Sequence, residues 1–388
     1  MVVIKKVTSN VLLDSRKEKT ISVTIHTSLG KFSSSSPTGK STGRYEVKPY
    51  KKTLEQDIET LKKFSDYFSE DIIEKFEDLR RIEDIVDRIV GANTLFALES
   101  AILKALAKEQ KKNIWQIINP NAKKFPKLVA NIIGGGKHSH SEKKPDFQEF
   151  EVIPATNSAK ESYEIIKKIK KESEMLLKEH DKKFRSEKND ENAWIASLTD
   201  KEVLDVLKKL TNKFDFSLGV DIAASSFYKR KKYNYNNPNF KRTPEEQFLF
   251  ISNLIKNYNL FYVEDPFQED DFDGFAKLLK KFPQSLIVGD DLTATNPKRI
   301  QKAIEKKSIN GLIIKPNQIG SLLKVKEAVE LAKKHKIKTI FSHRSGETKE
   351  TILADLAFGF EADFFKSGSC GDVREEKIKR LIEIEKSF

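Results

Sequence analysis

Cysteine is all but absent. Cys370 is the one thiol in 388 residues, so no intrachain disulfide can close, and that suits a reducing cytosol. Long apolar runs are missing as well: nothing approaches the ~20 consecutive residues that a membrane-spanning helix needs. The opening Met1-Val-Val-Ile-Lys-Lys has no long apolar region before a small-residue cleavage site, which argues against a secretory signal. A cytoplasmic location without a membrane role is therefore expected. Concentrated charge of one sign is lacking too. Lys and Arg exceed Asp and Glu by 71 to 58, a net +13. The basic groups at Lys51-Lys52, Lys182-Lys183, Lys229-Arg-Lys-Lys and Lys333-Lys334 are scattered, however, with acids between them. No stacking-aromatic pattern accompanies them, so nucleic acid is not expected as the main partner, and the excess reads as a solvated surface. No internal repeat is visible.

What is present is a globular composition, 38% apolar and 33% charged, at a length that suits about two domains. Residues 1–122 read as an α+β unit. Ile21-Ser-Val-Thr-Ile-His-Thr alternates as a half-buried strand should. The stretch 33–43, Ser-rich with Pro37, Gly39 and Gly43, is too small and polar for a core and reads as a mobile loop. From 54 to 112 the apolar spacing is helical, most clearly from Asn93 onward. Pro120-Asn-Ala-Lys-Lys-Phe-Pro126 is the natural linker. Residues 123–388 then alternate short apolar runs with helical patterns, the signature of an α/β barrel.

The runs share a feature. Leu218-Gly-Val reaches Asp221, Leu260-Phe-Tyr-Val reaches Glu264, and Leu286-Ile-Val is followed by Gly289-Asp290-Asp291. Leu312-Ile-Ile ends in Lys315, Lys338-Thr-Ile-Phe in Ser342-His343-Arg344-Ser345, and Asp363-Phe-Phe in Lys366. Charged residues at the carboxyl ends of barrel strands face one opening and read as an active site. Phe147-Gln148-Glu149-Phe150-Glu151 alternates strongly, which puts Gln148 and Glu149 on opposite sides of a further strand.

Asp221, Glu264 and Asp290 at one mouth would repel one another unless a hard cation lay between them, and oxygen-only ligands suit Mg²⁺. The competing reading is that each caps the helix after it. A lysine near cations and withdrawn from water has a lowered pKa and serves as a base, which singles out Lys315 and Lys366 by position. Arg344 offers a fork for a phosphate or carboxylate, with His343 beside it. Together these groups suit removal of a proton α to a carboxylate.

At this point the chain resembles the enolase family. Val263-Glu-Asp-Pro-Phe, Gly289-Asp-Asp-Leu-Thr-Ala-Thr-Asn-Pro, Leu312-Ile-Ile-Lys-Pro-Asn-Gln and Ser342-His-Arg-Ser-Gly-Glu-Thr stand in family order, after Asp14-Ser-Arg, Ser41-Thr-Gly, Gly91-Ala-Asn, Gln148-Glu-Phe and Asp221-Ile-Ala-Ala-Ser. The resemblance implies an α+β unit before an enolase-type barrel, and dehydration of 2-phosphoglycerate to phosphoenolpyruvate. It implies two Mg²⁺ ions, one on Asp221, Glu264 and Asp290, the second joined by Ser41. Lys315 would take the C2 proton, and Glu191 would protonate the leaving hydroxyl with help from Glu149 and Gln148. Lys366 would neutralise the substrate carboxylate, Arg344 and Ser345 would hold the phosphate, and His138 and His343 would line the pocket.

Departures from the family pattern are local. The acid loop reads Asn189-Asp-Glu-Asn-Ala193 where the family has Gly-Asp-Glu-Gly-Gly, and Asn adopts positive φ less freely than Gly. Lys40 replaces a small residue, Lys17-Glu-Lys19 replaces Gly-Asn-Pro, and Ser226 stands where an acid is common. Two rivals share the scaffold: a lyase or isomerase acting on another carboxylate, and a non-catalytic binding protein. The family's dimer pair of an acid and a base is represented by Ser22 and Glu383, so a homodimer or higher oligomer would rest on other contacts.

Overall fold

The alternating stretch around Ile21 becomes the middle strand, Lys19–Thr27, of a three-stranded antiparallel sheet between Lys6–Leu13 and Gly30–Ser35. The structure is a computed structural model that describes Met1–Phe388 apart from Ser41, Thr42, Asp71 and Asp87 and the side chains of Ser69, Glu70 and Asp372. Ile21, Val23 and Ile25 all point inward and are fully buried, as period-2 alternation requires. Against them lies the helix Ala92–Glu109. Its sequence is apolar on nearly every face, and it is correspondingly buried along most of its length. The Ser-rich stretch begins later as a loop than its composition suggests. Ser33, Ser34 and Ser35 belong to the strand Gly30–Ser35, where Thr24 Oγ1 meets Ser33 Oγ at 2.7 Å.

Eight strands then close into a barrel: Lys127–Gly134, Glu149–Pro154, Phe216–Asp221, Tyr262–Glu264, Leu286–Gly289, Gly311–Ile314, Lys338–Ser342 and Phe364–Lys366. The last pairs with the first through Phe364↔Lys127 and Lys366↔Val129. All run parallel except Glu149–Pro154, which is antiparallel to both neighbours. Two helices, Ala159–His180 and Asp200–Leu210, follow that strand, and helices return the chain after each later strand. Strand runs such as Leu286-Ile-Val and Gly311-Leu-Ile-Ile are buried on both faces, which is why they are continuous and not alternating. Val129, Ile153, Leu286, Val288, Ile313, Ile340 and Phe364 fill the interior, each stabilising the fold by about 2 kcal/mol. The outer helices begin cleanly: Thr199 with Glu202, and Thr243 with Glu246, form reciprocal caps.

The apolar core runs without a break from the N-terminal sheet into the shell of barrel helices. Polar ties fasten the two at the barrel mouth. Asn317 Nδ2 donates to Pro37 O at 3.1 Å and to Asn93 Oδ1 at 3.0 Å, and Leu322 N donates to Glu99 Oε2 at 2.6 Å. Among the described residues no helix is long and apolar enough to cross a membrane.

Candidate active site

Strand direction decides which ends meet. The carboxyl ends of the seven parallel strands share a rim with the amino end of Glu149–Pro154. Register then sets Glu149 beside Asp221, Asp221 beside Glu264, and Ser342 beside Lys366. Asp290, Lys315 and His343 each follow their strands by one residue. Gln148 does not alternate with Glu149 as expected. It lies in a bend before the strand begins, and its Nε2 donates to Asp221 Oδ2 at 3.0 Å, so both residues serve the same mouth.

Every expected charged group here is buried except Lys315, which is half-buried, and the cations meet the acids directly. Lys366 Nζ lies 2.9 Å from Glu264 Oε2, 2.8 Å from Glu151 Oε1, 3.3 Å from Glu149 Oε2 and 3.8 Å from Asp221 Oδ2. Tyr262 OH donates to Glu264 Oε2 at 2.5 Å. Lys315 pairs with Asp290, which also accepts from Gln318 Nε2 at 3.3 Å. Asp265 orders this corner: its two oxygens accept the backbone N–H groups of Asp290 and Asp291 at 3.0 and 2.7 Å. Burial and the neighbouring Glu264 push Asp221 well above the usual carboxylate range. Asp290 is lowered instead, because the Lys315 ammonium outweighs burial.

Lys315 departs from the sequence expectation. Burial by itself would lower its pKa, but the Asp290 carboxylate more than offsets that, so in this structure the lysine is raised and charged. The expected metal triad also does not converge on one point: Lys366 reaches Asp221 and Glu264 while Lys315 holds Asp290. Among the described residues, the groups of three whose ligand atoms lie within 4.8 Å of one another are Asp265, Asp290 and Asp291, and His138, Glu149 and Glu191. Asp265 is committed to backbone N–H groups, whereas Asp221, Glu264 and Asp290 each face a lysine ammonium. An oxygen-only donor set at the ends of three adjacent strands, charged enough to draw in two lysines, fits a hard divalent cation. Ser41, expected to join a second ion, lies outside the described residues.

The acid side of the mouth is a coupled pair. Glu191 accepts from Asn131 Nδ2 at 3.1 Å, and His138 Nδ1 stands 3.3 Å from its other oxygen. Burial would raise Glu191, but His138, His343 and Arg374 outweigh it and hold the carboxyl well below its ordinary value. Glu149 is pushed well above, by burial and by Glu191 itself. The two shifts run in opposite directions: burial favours the neutral form of Glu149, while its cationic neighbours favour the ionised form of Glu191. The altered loop is braced by its own asparagines: Asn189 Oδ1 accepts from Glu191 N at 3.0 Å and Ala193 N at 2.9 Å. Asn192 takes the left-handed conformation, φ 64°, that the family leaves to glycine.

Arg344 is held in a fork by Glu46, with contacts of 3.0 and 3.1 Å, and donates to Asn317 Oδ1 at 3.2 Å. Ser345 Oγ accepts from Lys40 N at 2.7 Å, and Thr38 pairs with Gly346, so residues 38–40 lie against this corner. Lys40 Nζ, the departure in this loop, pairs with Asp190 at 2.6 Å, beside Glu191. Arg374 has no sequence signal, yet it is fully buried and donates through Nε to His343 Nδ1 at 2.9 Å and through Nη2 to Ser345 O at 2.6 Å. Burial keeps His343 well below its ordinary pKa, with Arg374 adding to the effect. Glu46 was equally silent. Glu151 could have been read from the alternation, since residues 149 and 151 of one strand share a face.

Comparison with known proteins bears on the fold and the family. Residues 122–388 match the family model described as "Enolase, C-terminal TIM barrel domain". The protein called enolase in Pyrobaculum aerophilum is 36% identical over 372 residues, 90% of this chain and 86% of that one. Its counterpart in Methanosphaera stadtmanae is 35% identical over 412 aligned positions, 100% of this chain and 97% of the relative. That in Picrophilus torridus is 32% identical, with 97% of each chain covered. A match over more than half the chain, with relatives similar along nearly its whole length, shows that this chain belongs to the enolase family of lyases.

Proposed function

We propose that the protein catalyses the Mg²⁺-dependent, reversible dehydration of 2-phosphoglycerate to phosphoenolpyruvate. The observation that carries this reading is the placement of base and acid. In the closed order of eight strands, the strand leading to Lys315 lies four places from the strand that begins at Glu149, so the two proton-transfer groups face each other across the ring. A substrate lying between them loses a proton on one side and a hydroxyl on the other.

Arg344 and Ser345 bind the phosphate, and Lys366 meets the substrate carboxylate. Asp221, Glu264 and Asp290 would hold the Mg²⁺, which would supply positive charge beside the substrate carboxylate, and Lys315, once apart from Asp290, would no longer be held in its charged form. Burial and the adjacent Arg344 then favour its neutral form, the form a base requires. Lys315 Nζ takes the proton from C2. The C3–O bond breaks as the Glu149–Glu191 pair delivers its proton to the hydroxyl, water departs, and the electron pair from the C2–H bond becomes the C2–C3 double bond. Both groups then exchange protons with solvent to complete the cycle. His343, neutral and oriented by Arg374, and His138 border the departing oxygen.

A cytoplasmic location and a homodimer complete the proposal. The dimer would form without the family's ion pair, since Glu383 meets Arg380 of its own helix at 3.3 Å. The test is conversion of 2-phosphoglycerate followed by absorbance of the enol product with and without Mg²⁺. Turnover that requires the cation supports the reading. Absence of turnover with saturating substrate and Mg²⁺ rejects it.

A further inference from the structure

Glu151 is the buried acid for which the proposed mechanism has no task. It lies two residues below Glu149 on the antiparallel strand and is wholly enclosed, 0% exposed. Among the described residues, neither of its oxygens accepts a hydrogen bond of ordinary geometry. Among the described residues its ion-pair partner is Lys366, whose Nζ is 2.8 Å from Oε1. The fold makes room for this acid. Gly219 is its register partner on the next strand, and a Cβ at Gly219 would come within 3.3 Å of Glu151 Oε2 and 2.9 Å of Tyr262 Cβ. A carboxylate enclosed among Ile153, Tyr262 and the rest of an apolar barrel interior persists only with a cation close by.

The geometry of Lys366 says what that cation gains. Its ammonium has three protons to give and four carboxylates around it, at 2.8, 2.9, 3.3 and 3.8 Å. In the mechanism above, which this inference rests on, Asp221 and Glu264 turn to the divalent cation and Glu149 is half of the acid pair. Glu151 alone has no second employment. We infer that Glu151 is a positioning residue, the permanent counter-ion of Lys366. It holds the ammonium at the floor of the mouth when Asp221 and Glu264 are given up to the cation, so that lysine and cation face the substrate carboxylate together. Without Glu151, Lys366 leans on Glu264 and Asp221 and competes for them with the cation.

The experiment is calorimetric titration of Mg²⁺ into the full-length protein without substrate, for the parent, Glu151→Gln, Lys366→Met and the double variant. Circular dichroism first establishes that each is folded, and Glu151→Met, which suits an apolar interior, replaces Glu151→Gln if the amide is not accepted. Glu151→Gln should weaken Mg²⁺ on the order of tenfold, the scale of losses when groups behind a metal site are removed. In the Lys366→Met background the same change should alter affinity less than about twofold, because there is no ammonium left to hold. An equal loss in both backgrounds would overturn the inference, since Glu151 would then act as one more negative charge. An unchanged affinity in Glu151→Gln would overturn it as well. Should Lys366→Met fail to fold, steady-state kinetics of the single variant decide: a raised KM that falls back as Mg²⁺ is raised, with kcat near the parent's at saturation, supports the assignment. A lowered kcat with KM unchanged contradicts it. A parent that binds no Mg²⁺ would instead sink the proposed function, which separates the two failures.

Discussion

His343 meets the site in one tautomer. Because Arg374 Nε–H donates to Nδ1, the ring proton must reside on Nε2, and burial keeps the ring uncharged. Arg374→Met should release that constraint. We expect kcat/KM to fall about tenfold or more, by analogy with other partners that orient histidines, and the Nδ1 resonance in ¹⁵N spectra to move from an acceptor toward a mixed-tautomer position. Unchanged ¹⁵N shifts would mean that the ring is oriented by other contacts. A second residue-level expectation concerns stability. Asp200 is fully enclosed, and burial raises its carboxyl to about 7 although the backbone N–H of Phe147 donates to it. Its folded pKa thus lies above its unfolded one, so between about pH 4 and 7 the native state binds the extra proton and stability falls as pH rises. Asp200→Asn keeps the acceptor oxygen and should flatten that slope. Melting temperatures across the window check it, and parallel slopes in parent and variant would contradict it. At this scale the sequence shows the chemical identity of the site but not its pairing. Position at strand ends picks out Lys315 and Lys366 among 71 basic residues. It cannot reveal that Lys315 is raised rather than lowered, because that depends on an Asp290 contact made by another strand.

Elements carry the next layer. Periodicity locates the helices and the continuous apolar strands, since buried parallel strands and amphipathic helices leave distinct patterns. The direction of Glu149–Pro154 leaves no such mark: alternation is the same read up or down, yet direction alone decides whether Glu149 arrives at the mouth or the floor. The acid loop shows the converse. Its non-glycine sequence reads as a weakness, while the structure finds Asn189 bracing it and Asn192 held at φ 64°. Asn192→Val should therefore cost about 1–2 kcal/mol in denaturant unfolding, the penalty of a left-handed conformation for a residue with a branched Cβ. A variant as stable as the parent would show that the loop relaxes. For residues 38–40, contacts to Ser345, Gly346 and Asp190 suit a segment that seals the site around substrate. Hydrogen exchange there should slow when 2-phosphoglycerate and Mg²⁺ are both present. Equal protection with and without them would make the segment a fixed connection.

The whole molecule is a ring of charge closed on an apolar core. Asp221, Glu264, Asp290, Glu149, Glu151 and Glu191 share its rim and floor with two lysines, and burial sharpens the interactions between them. A divalent cation bound to Asp221, Glu264 and Asp290 should raise the melting temperature, since it binds the native state alone. Asp290→Ala should remove most of that rise, and an undiminished rise would place the cation elsewhere. The central claim is that the two proton transfers occur on opposite sides of the ring. Its most direct measurement is exchange of the C2 proton of 2-phosphoglycerate with deuterated solvent, followed by NMR in the parent, Lys315→Ala and Glu191→Gln. Lys315→Ala should lose both exchange and turnover, whereas Glu191→Gln should lose turnover and keep measurable exchange, because its defect falls after the C2 proton has left. Exchange at the parent rate in Lys315→Ala would contradict the account at its first step.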